Sequence, residues 1–337
     1  MTFDGRDASN HFGNVFCPSC NSSLFPRWVN HEHYEHLHYG VRFHGEGVEM
    51  MGMEIECSPD MADAPTHTTD LDKCYGELMY MSNRYDGIPL WHCTTDSSIS
   101  NRRGAGIECV THPATLDWWM SHNAIEDFHS IAFNAGLISY DNKNESGRTY
   151  NGLHIHVNNA WVKELADRRM TEENKNAVGR AKLLAIMASL ESERKEYKVK
   201  VNGQMVKVTG STLGCFARRE AGKWCNPTRF GANLSMVNID GIRAQYNDFI
   251  AHAHYNNPQH HGRYYTLNLM NENTVEFRIF AGTTNAKTIK ATLQFVHNIM
   301  EYAKAHNFME CATVCIRDII DIRHYDELDS YATSRHL

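Results

Sequence analysis

Four short segments of this 337-residue chain repeat one pattern, in which apolar side chains alternate with glutamate, histidine or arginine. In GMEIEC, Glu54 and Glu56 share one parity, and Met53, Ile55 and Cys57 share the other. In GIECV, Glu108 stands between Ile107 and Cys109. In LHIHVN, His154, His156 and Asn158 alternate with Leu153, Ile155 and Val157. In TVEFRIF, Glu276 and Arg278 alternate with Val275, Phe277 and Ile279. Successive side chains of a strand point to opposite faces, so each segment reads as a strand with one apolar and one polar face. Like charges placed side by side on a strand face repel unless something cationic sits between them.

If these strands are neighbours in one sheet, their apolar faces pack on helices. The opposite face becomes a surface lined by Glu54, Glu56, Glu108, His154, His156, Glu276 and Arg278. Carboxylates with few imidazoles suit Mg²⁺ or Mn²⁺ better than a thiolate-rich site would. Two such ions, bridging Glu54 and Glu56, answer the repulsion. Each feature alone has a plainer account. An outward glutamate is usually just solvated, a His-x-His is often hydrogen-bonded to backbone, and Glu276 with Arg278 could form a surface ion pair. Their coincidence across four strands, each apolar on its other side, favours a shared metal-bearing site.

The rest of the chain supplies helices. ATLDWWMSHNAIEDFHSIAFNAG has apolar residues at helical spacing, with Thr115 to cap its start and Gly136 to end it. TEENKNAVGRAKLLAIMASLESERKEY is the longest helix, capped by Thr171. YKVKVNGQMVKV reads as a hairpin turning at Asn202-Gly203, its lysines keeping a free sheet edge soluble or forming a lid. YYTLNLMNENTVEFRIFAGT gives two strands around Asn271 to Asn273; a long helix runs from about Asn285 to His306, and the tail from Ala312 is helical. Mixed helices and antiparallel-looking strands make the class α+β. Three regions are expected: a His/Cys-rich segment at 1–45, a catalytic domain at 46–310 and a helical tail at 311–337.

A net charge of −7 argues against a general nucleic-acid binder, which would need a basic surface for phosphates. No apolar run reaches membrane-spanning length, and the N-terminus lacks a signal-peptide layout, so a cytoplasmic protein without a membrane partner is expected. The 10 cysteines are mostly scattered singly and read as reduced, buried small hydrophobes. CPSC, with Cys17 and Cys20, precedes His31, His33, His36 and His38. Cys17, Cys20, His36 and His38 could close a structural zinc site; a turn followed by a polar His-rich linker is the alternative. HExxH and GxxxxGK[ST] motifs are absent, and Ser58 and Ser98 have no adjacent base.

Assembled in order, GMEIE, DSSI with GIECVTHP, GLHIHVN, and RYYTLNL with TVEFRIFAGT resemble the amidoligase family common in phage genomes, over roughly residues 50–300. That family belongs with the carboxylate–amine ligases related to glutamine synthetase and glutamate–cysteine ligase. The resemblance implies a curved, mostly antiparallel sheet of the glutamine synthetase half-barrel type, backed by helices. It implies ATP and two Mg²⁺ or Mn²⁺ ions, with Glu54 and Glu56 on different ions, Glu108 joining Glu56, and His154 with Glu276 joining Glu54. It places His156 near the nucleotide and Arg278 near the transferred phosphate. Arg263, before its strand, takes the position of a phosphate- or substrate-binding arginine, and Asp96 in DSSI is a further acidic ligand or binds the amine. Only Asn151-Gly152 precedes the His-x-His, where glutamine synthetase has a longer run.

The expected function is ATP-dependent joining of a carboxylate and an amine through an acyl phosphate, with amino acids, peptides or protein side chains as substrates. An oligomer is compatible with this kinship. The alternatives are a metal-dependent hydrolase using the same Glu/His face, and a non-enzymatic, zinc-stabilised phage component. The hydrolase would act without ATP, and the phage component would not need Glu54 or Arg278.

Overall fold

The apolar parity of the patterned segments is buried: Met53, Ile55, Cys57, Cys109, Leu153, Ile155, Val157, Val275, Phe277 and Ile279 are all within 1% of complete burial. These positions are seen in a computed structural model that describes residues 44–59, 77–78, 85, 90–101, 104–139, 151–201, 204–219, 225–256 and 264–337. Residues 1–43, with the candidate zinc ligands Cys17, Cys20, His36 and His38, lie outside the described residues. The chain forms two compact units with interleaved boundaries. Both mix helices with antiparallel strands.

The first unit takes in Gly52–Leu153 and Gly282–Ile289. It holds most of β1 (Met50–Pro59), with β2 (Trp91–Asn101), β3 (Gly104–Thr111), β4 (Ala114–Thr115) and β5 (Leu137–Ile138). β3 lies between β2 and β1 and runs antiparallel to both, pairing Cys109 with Ile55 on one side and with Cys93 on the other. The β2–β3 register slips between Thr95 and Ser100. The expected helix over 114–136 is two helices, α1 (Leu116–Ser121) and α2 (Ala124–Asn134). Thr115 does cap the start, accepting the Trp118 N–H at 3.3 Å, and Gly136 ends the pair at φ +66°. The break comes at His122, whose N–H makes the last helical bond to the Trp118 carbonyl at 3.1 Å but whose backbone is extended at φ −112° and ψ 149°; its ring stacks on Trp118 at 4.4 Å. Phe128 of α2 stacks on Trp91 of β2 at 4.8 Å, which fixes the helix to the strands.

The second unit takes in Gly47–Met51, His154–Ala281 and Lys290–Leu337. Its elements are β6 (Leu153–Asn158, all but its first residue), α3 (Asn159–Lys163), α4 (Glu172–Ser192), β7 (Arg194–Val201), β8 (Gln204–Ser211), α5 (Thr212–Ala217), α6 (Ile239–Asn256), β9 (Leu267–Asn268), β10 (Thr274–Phe277), most of α7 (Ala286–Ala305), α8 (Phe308–Cys311), α9 (Ile316–Ile320) and α10 (Asp326–Ser334). β10 lies between β6 and β9, antiparallel to both. α4 starts where the Thr171 hydroxyl accepts the Asn174 N–H. It is buried around most of its circumference, because α3, α6 and α8 all pack on it. It ends at Ser192, before the expected RKEY. There the Glu193 carboxylate accepts from the Thr212 hydroxyl at 2.7 Å and the Ile316 N–H at 3.0 Å, drawing the chain into β7. Among the described residues, no helix is long and apolar enough to cross a membrane.

Cys57, Cys109, Cys215, Cys225, Cys311 and Cys315 are thiols outside any disulfide, all but Cys315 buried. Burial pushes the Cys225 and Cys311 thiols up to about 12 from 9.0. Stability from keeping these thiols protonated is complete below pH 9 and is lost as pH rises toward 12, because unfolded thiols ionise first. At pH 10 the loss is about 1.4 kcal/mol per thiol. Lys182, whose ammonium burial pushes down, acts in the opposite direction. We expect urea unfolding at pH 10 to show lower stability than at pH 8, with a smaller difference in Cys225→Ala. An unchanged pH difference in that variant would remove Cys225 from the account.

Candidate active site

Glu276 is the most elaborately held acid in the second unit. The side chain is 2% exposed, on β10 opposite His156 of β6 and Asn268 of β9. Asn268 Nδ2 donates to its Oε2 at 2.7 Å and Asn271 Nδ2 at 3.3 Å. Arg278 donates to its Oε1 from Nη1, and His154 Nδ1 lies 3.3 Å from the same oxygen. Burying a carboxylate costs several kcal/mol unless charge and hydrogen bonds replace water, and here four side chains do so. Arg278 itself is 9% exposed and sits 5.8 Å from the centre of the Tyr264 ring. His156 is half-buried, with Nδ1 3.2 Å from the Thr274 hydroxyl. Carboxylate, two imidazoles and guanidinium therefore gather within β6, β10 and the residue that follows it.

This arrangement is braced from α4. Arg180, 6% exposed, donates to the Leu269 carbonyl, to Asn159 Oδ1 at 3.1 Å and to the Asn271 carbonyl at 3.3 Å. It ties down the β9–β10 turn that carries both asparagines. None of Asn268, Asn271 or Arg180 was among the expected site residues. The alternation of Thr266 and Asn268 with Leu267 and Leu269 could have revealed Asn268, since it places the amide on the polar parity of β9.

In the first unit, Glu56 of β1 stands directly opposite Glu108 of β3, and Glu54 is opposite Val110. Carboxylates paired in register are destabilising without a cation, and Glu56 is only 7% exposed. Glu56 is also gripped by the segment before β6. Its N–H donates to the Gly152 carbonyl at 3.1 Å, while its Oε2 accepts the Gly152 N–H at 2.5 Å. The Ser139 hydroxyl donates to the Glu56 carbonyl at 2.5 Å, and Asn151 Nδ2 donates to the Ser58 hydroxyl at 3.1 Å. Gly282 permits this closure: a Cβ there would fall 2.5 Å from the Ser139 carbonyl oxygen and 3.0 Å from the Asn151 carbonyl carbon. The short Asn151-Gly152 run is thus a clamp on Glu56.

Asp96 lies in the irregular stretch of β2, and its side chain is outside the described part. Arg263 is also outside the described residues. One further acidic set, Glu49, His297 and Glu301 of the second unit, brings its donor atoms within 4.8 Å of one another. Lys304 meets Glu49 at 3.2 Å and Arg323 meets Glu301 at 2.6 Å, so those charges are balanced within the protein.

Comparisons with known proteins bear on these residues. Residues 139–300 match the family described as "Putative amidoligase enzyme". No curated protein matches the chain. Among solved structures, the chain is similar to the crystal structure of the complex between Prokaryotic Ubiquitin-like Protein Pup and its Ligase PafA, at 11% identity and a TM-score of 0.28. That match covers 80% of this chain and 50% of that chain, so this chain spans about half the relative's length. The amidoligase resemblance is shown over residues 139–300, the stretch that contains His154, His156, Glu276 and Arg278.

Proposed function

We propose that the chain is an ATP-dependent carboxylate–amine ligase that forms an amide or isopeptide bond through an acyl phosphate. The observation that carries this reading is Glu276, buried inside the family-matched stretch and held by Asn268, Asn271, His154 and Arg278. A buried ion pair kept for stability alone could often be replaced by apolar residues without loss. Its retention beside two histidines favours chemistry.

The donor set fits hard divalent ions. Glu56 and Glu108 face one another in register without a thiolate nearby on their parity, and Glu276 adds a carboxylate beside an imidazole. We assign Glu54, Glu56, Glu108, His154 and Glu276 as ligands of two Mg²⁺ or Mn²⁺ ions, which when bound neutralise phosphate charge. A substrate carboxylate oxygen attacks the γ-phosphorus of ATP, the bond to the bridging oxygen breaks, and ADP leaves. An amine nitrogen then attacks the acyl carbon and loses a proton as phosphate departs. Arg278, oriented by Glu276, stabilises charge on the transferring oxygens, and His156 contacts the nucleotide. In this reading Arg263 binds phosphate or substrate, and Asp96 is a further acidic ligand or binds the amine. No side-chain nucleophile is required. Residues 46–310 form the catalytic region in this reading, and Cys17, Cys20, His36 and His38 a structural zinc site beside it.

The test is ADP release from ATP with Mg²⁺ or Mn²⁺ and pooled amino acids and peptide amines, comparing wild type with Glu56→Ala and Arg278→Ala. Turnover that requires the pool and vanishes in both variants is expected. Metal binding with neither ATP binding nor turnover would end the ligase reading and bring the hydrolase forward.

A further inference from the structure

The β7–β8 hairpin is a basic element in an acidic chain. Residues 194–208 carry Arg194, Lys195, Lys198, Lys200 and Lys207 against Glu196, while the whole chain has a net charge of −7. Its base is anchored: Gly210 and Ser211 are buried, the Thr212 N–H donates to the Glu193 carbonyl at 2.9 Å, and Lys195 Nζ donates to the His336 carbonyl. Beyond the base the ribbon has two dissimilar faces. Tyr197 pairs with Val208 on one, with Val206 beside them; Lys198 pairs with Lys207 on the other, with Met205 beside them. Two lysines directly opposite are mutually destabilising, and Glu196 reaches Lys207 at 3.4 Å on the exposed surface.

Among the described residues, β8 pairs only with β7, so its outer edge offers backbone donors and acceptors. That strand is the more open of the two. Gln204 to Lys207 are all exposed, Met205 by 61% and Val206 by 42%. A strand added along this edge would place alternate side chains on the lysine face and on the Tyr197/Val206/Val208 face.

We propose that β8 is a docking edge for an extended protein segment that alternates acidic and apolar residues. The acidic side chains would settle beside Lys207, with Lys198 one strand further in on the same face, and offset their repulsion, and the apolar ones would cover Val206 and Val208. Main-chain bonds to β8 supply affinity, and the charge alternation supplies register and selectivity. This surface is independent of the ligase reading, and its test needs no turnover.

The full chain would be titrated against a labelled alternating Glu–Val dodecapeptide at low salt, by fluorescence anisotropy. Binding is expected, with no binding of an alternating Lys–Val peptide. A Glu–Val peptide of equal charge with every backbone nitrogen methylated cannot donate ladder bonds, and is expected to bind on the order of tenfold more weakly or worse. Reversing Lys198→Glu with Lys207→Glu is expected to cost about tenfold or more. The neutral pair Lys198→Gln with Lys207→Gln should give a smaller loss, with circular dichroism checking that the hairpin persists. Three results would overturn the proposal: no binding, equal affinity for the N-methylated peptide, or a charge reversal without effect. Displacement of the peptide by duplex DNA or anionic vesicles at equal charge concentration would also overturn it, since the patch would then be a general polyanion surface.

Discussion

Glu276→Gln is expected to lower ATP-dependent turnover by about a hundred- to a thousandfold, the scale set by removing one preorganised charge contact from a transition state. The change is nearly isosteric, so the Asn268 and Asn271 amides keep an oxygen to donate to. What is lost is the negative charge opposite Arg278 and beside His154. An arginine left buried without its partner costs about 3 to 5 kcal/mol, so the single variant also loses stability. The double variant Glu276→Gln with Arg278→Gln separates the two effects. With no uncompensated charge inside, its urea midpoint is expected to recover most of the way, while turnover is lost with Arg278 and Mn²⁺ binding followed by electron paramagnetic resonance stays weakened. Were Glu276 only a structural partner of Arg278, the double variant would recover metal binding along with stability.

The same site shows what alternation can and cannot disclose. Parity placed Ile155, Val157, Val275 and Phe277 in the core because burial acts on every second residue of a strand, and they are all fully buried. Parity likewise put His154 and His156 on the polar face of one strand and Glu276 and Arg278 on the polar face of another, and pairing of β6 with β10 brings Glu276 opposite His156. Thr115, Thr171 and Gly136 were legible because caps act over three or four residues of sequence. The bracing was not legible. Arg180 sits in a helix where its neighbours Ala177, Ala181 and Leu184 are core residues, and an arginine mid-helix ordinarily points to solvent. Its partners Leu269 and Asn271 are about ninety residues away, and the carbonyls it binds belong to a turn that local sequence marks only as a turn. The grip of Gly152 on Glu56 is made by the Gly152 backbone, which leaves no side-chain signature at position 152. Likewise the break at His122 is an extended backbone at that one residue, in a stretch whose apolar spacing reads as one helix.

Gly179→Val is expected to destabilise the chain by about 3 kcal/mol or more, the upper part of the range for overpacking, and to lower its melting temperature by roughly 6 to 12 °C. Glycine inside a helix is worse than alanine by about 1 kcal/mol, so its place in α4 needs a packing reason. That reason is α3: a Cβ at 179 would run into the Val162 carbonyl oxygen and lie 3.0 Å from its carbon. Backbone cannot rotate aside as a side-chain tip can, so the two helices must part. Separation would carry Asn159, the first residue of α3, away from Arg180 on α4, and would disturb the end of β6 from which α3 starts. Gly179→Ala should lie between wild type and Gly179→Val, its clash partly offset by better helix propensity. The decisive comparison is with Lys175→Val, four residues earlier on α4, where Lys175 is partly exposed and bonded to Glu172 at 2.9 Å. Loss of that surface pair should cost well under about 1 kcal/mol. If both valine variants melt together, the cost belongs to β-branching in the helix, and the close approach of α3 and α4 has no share in it.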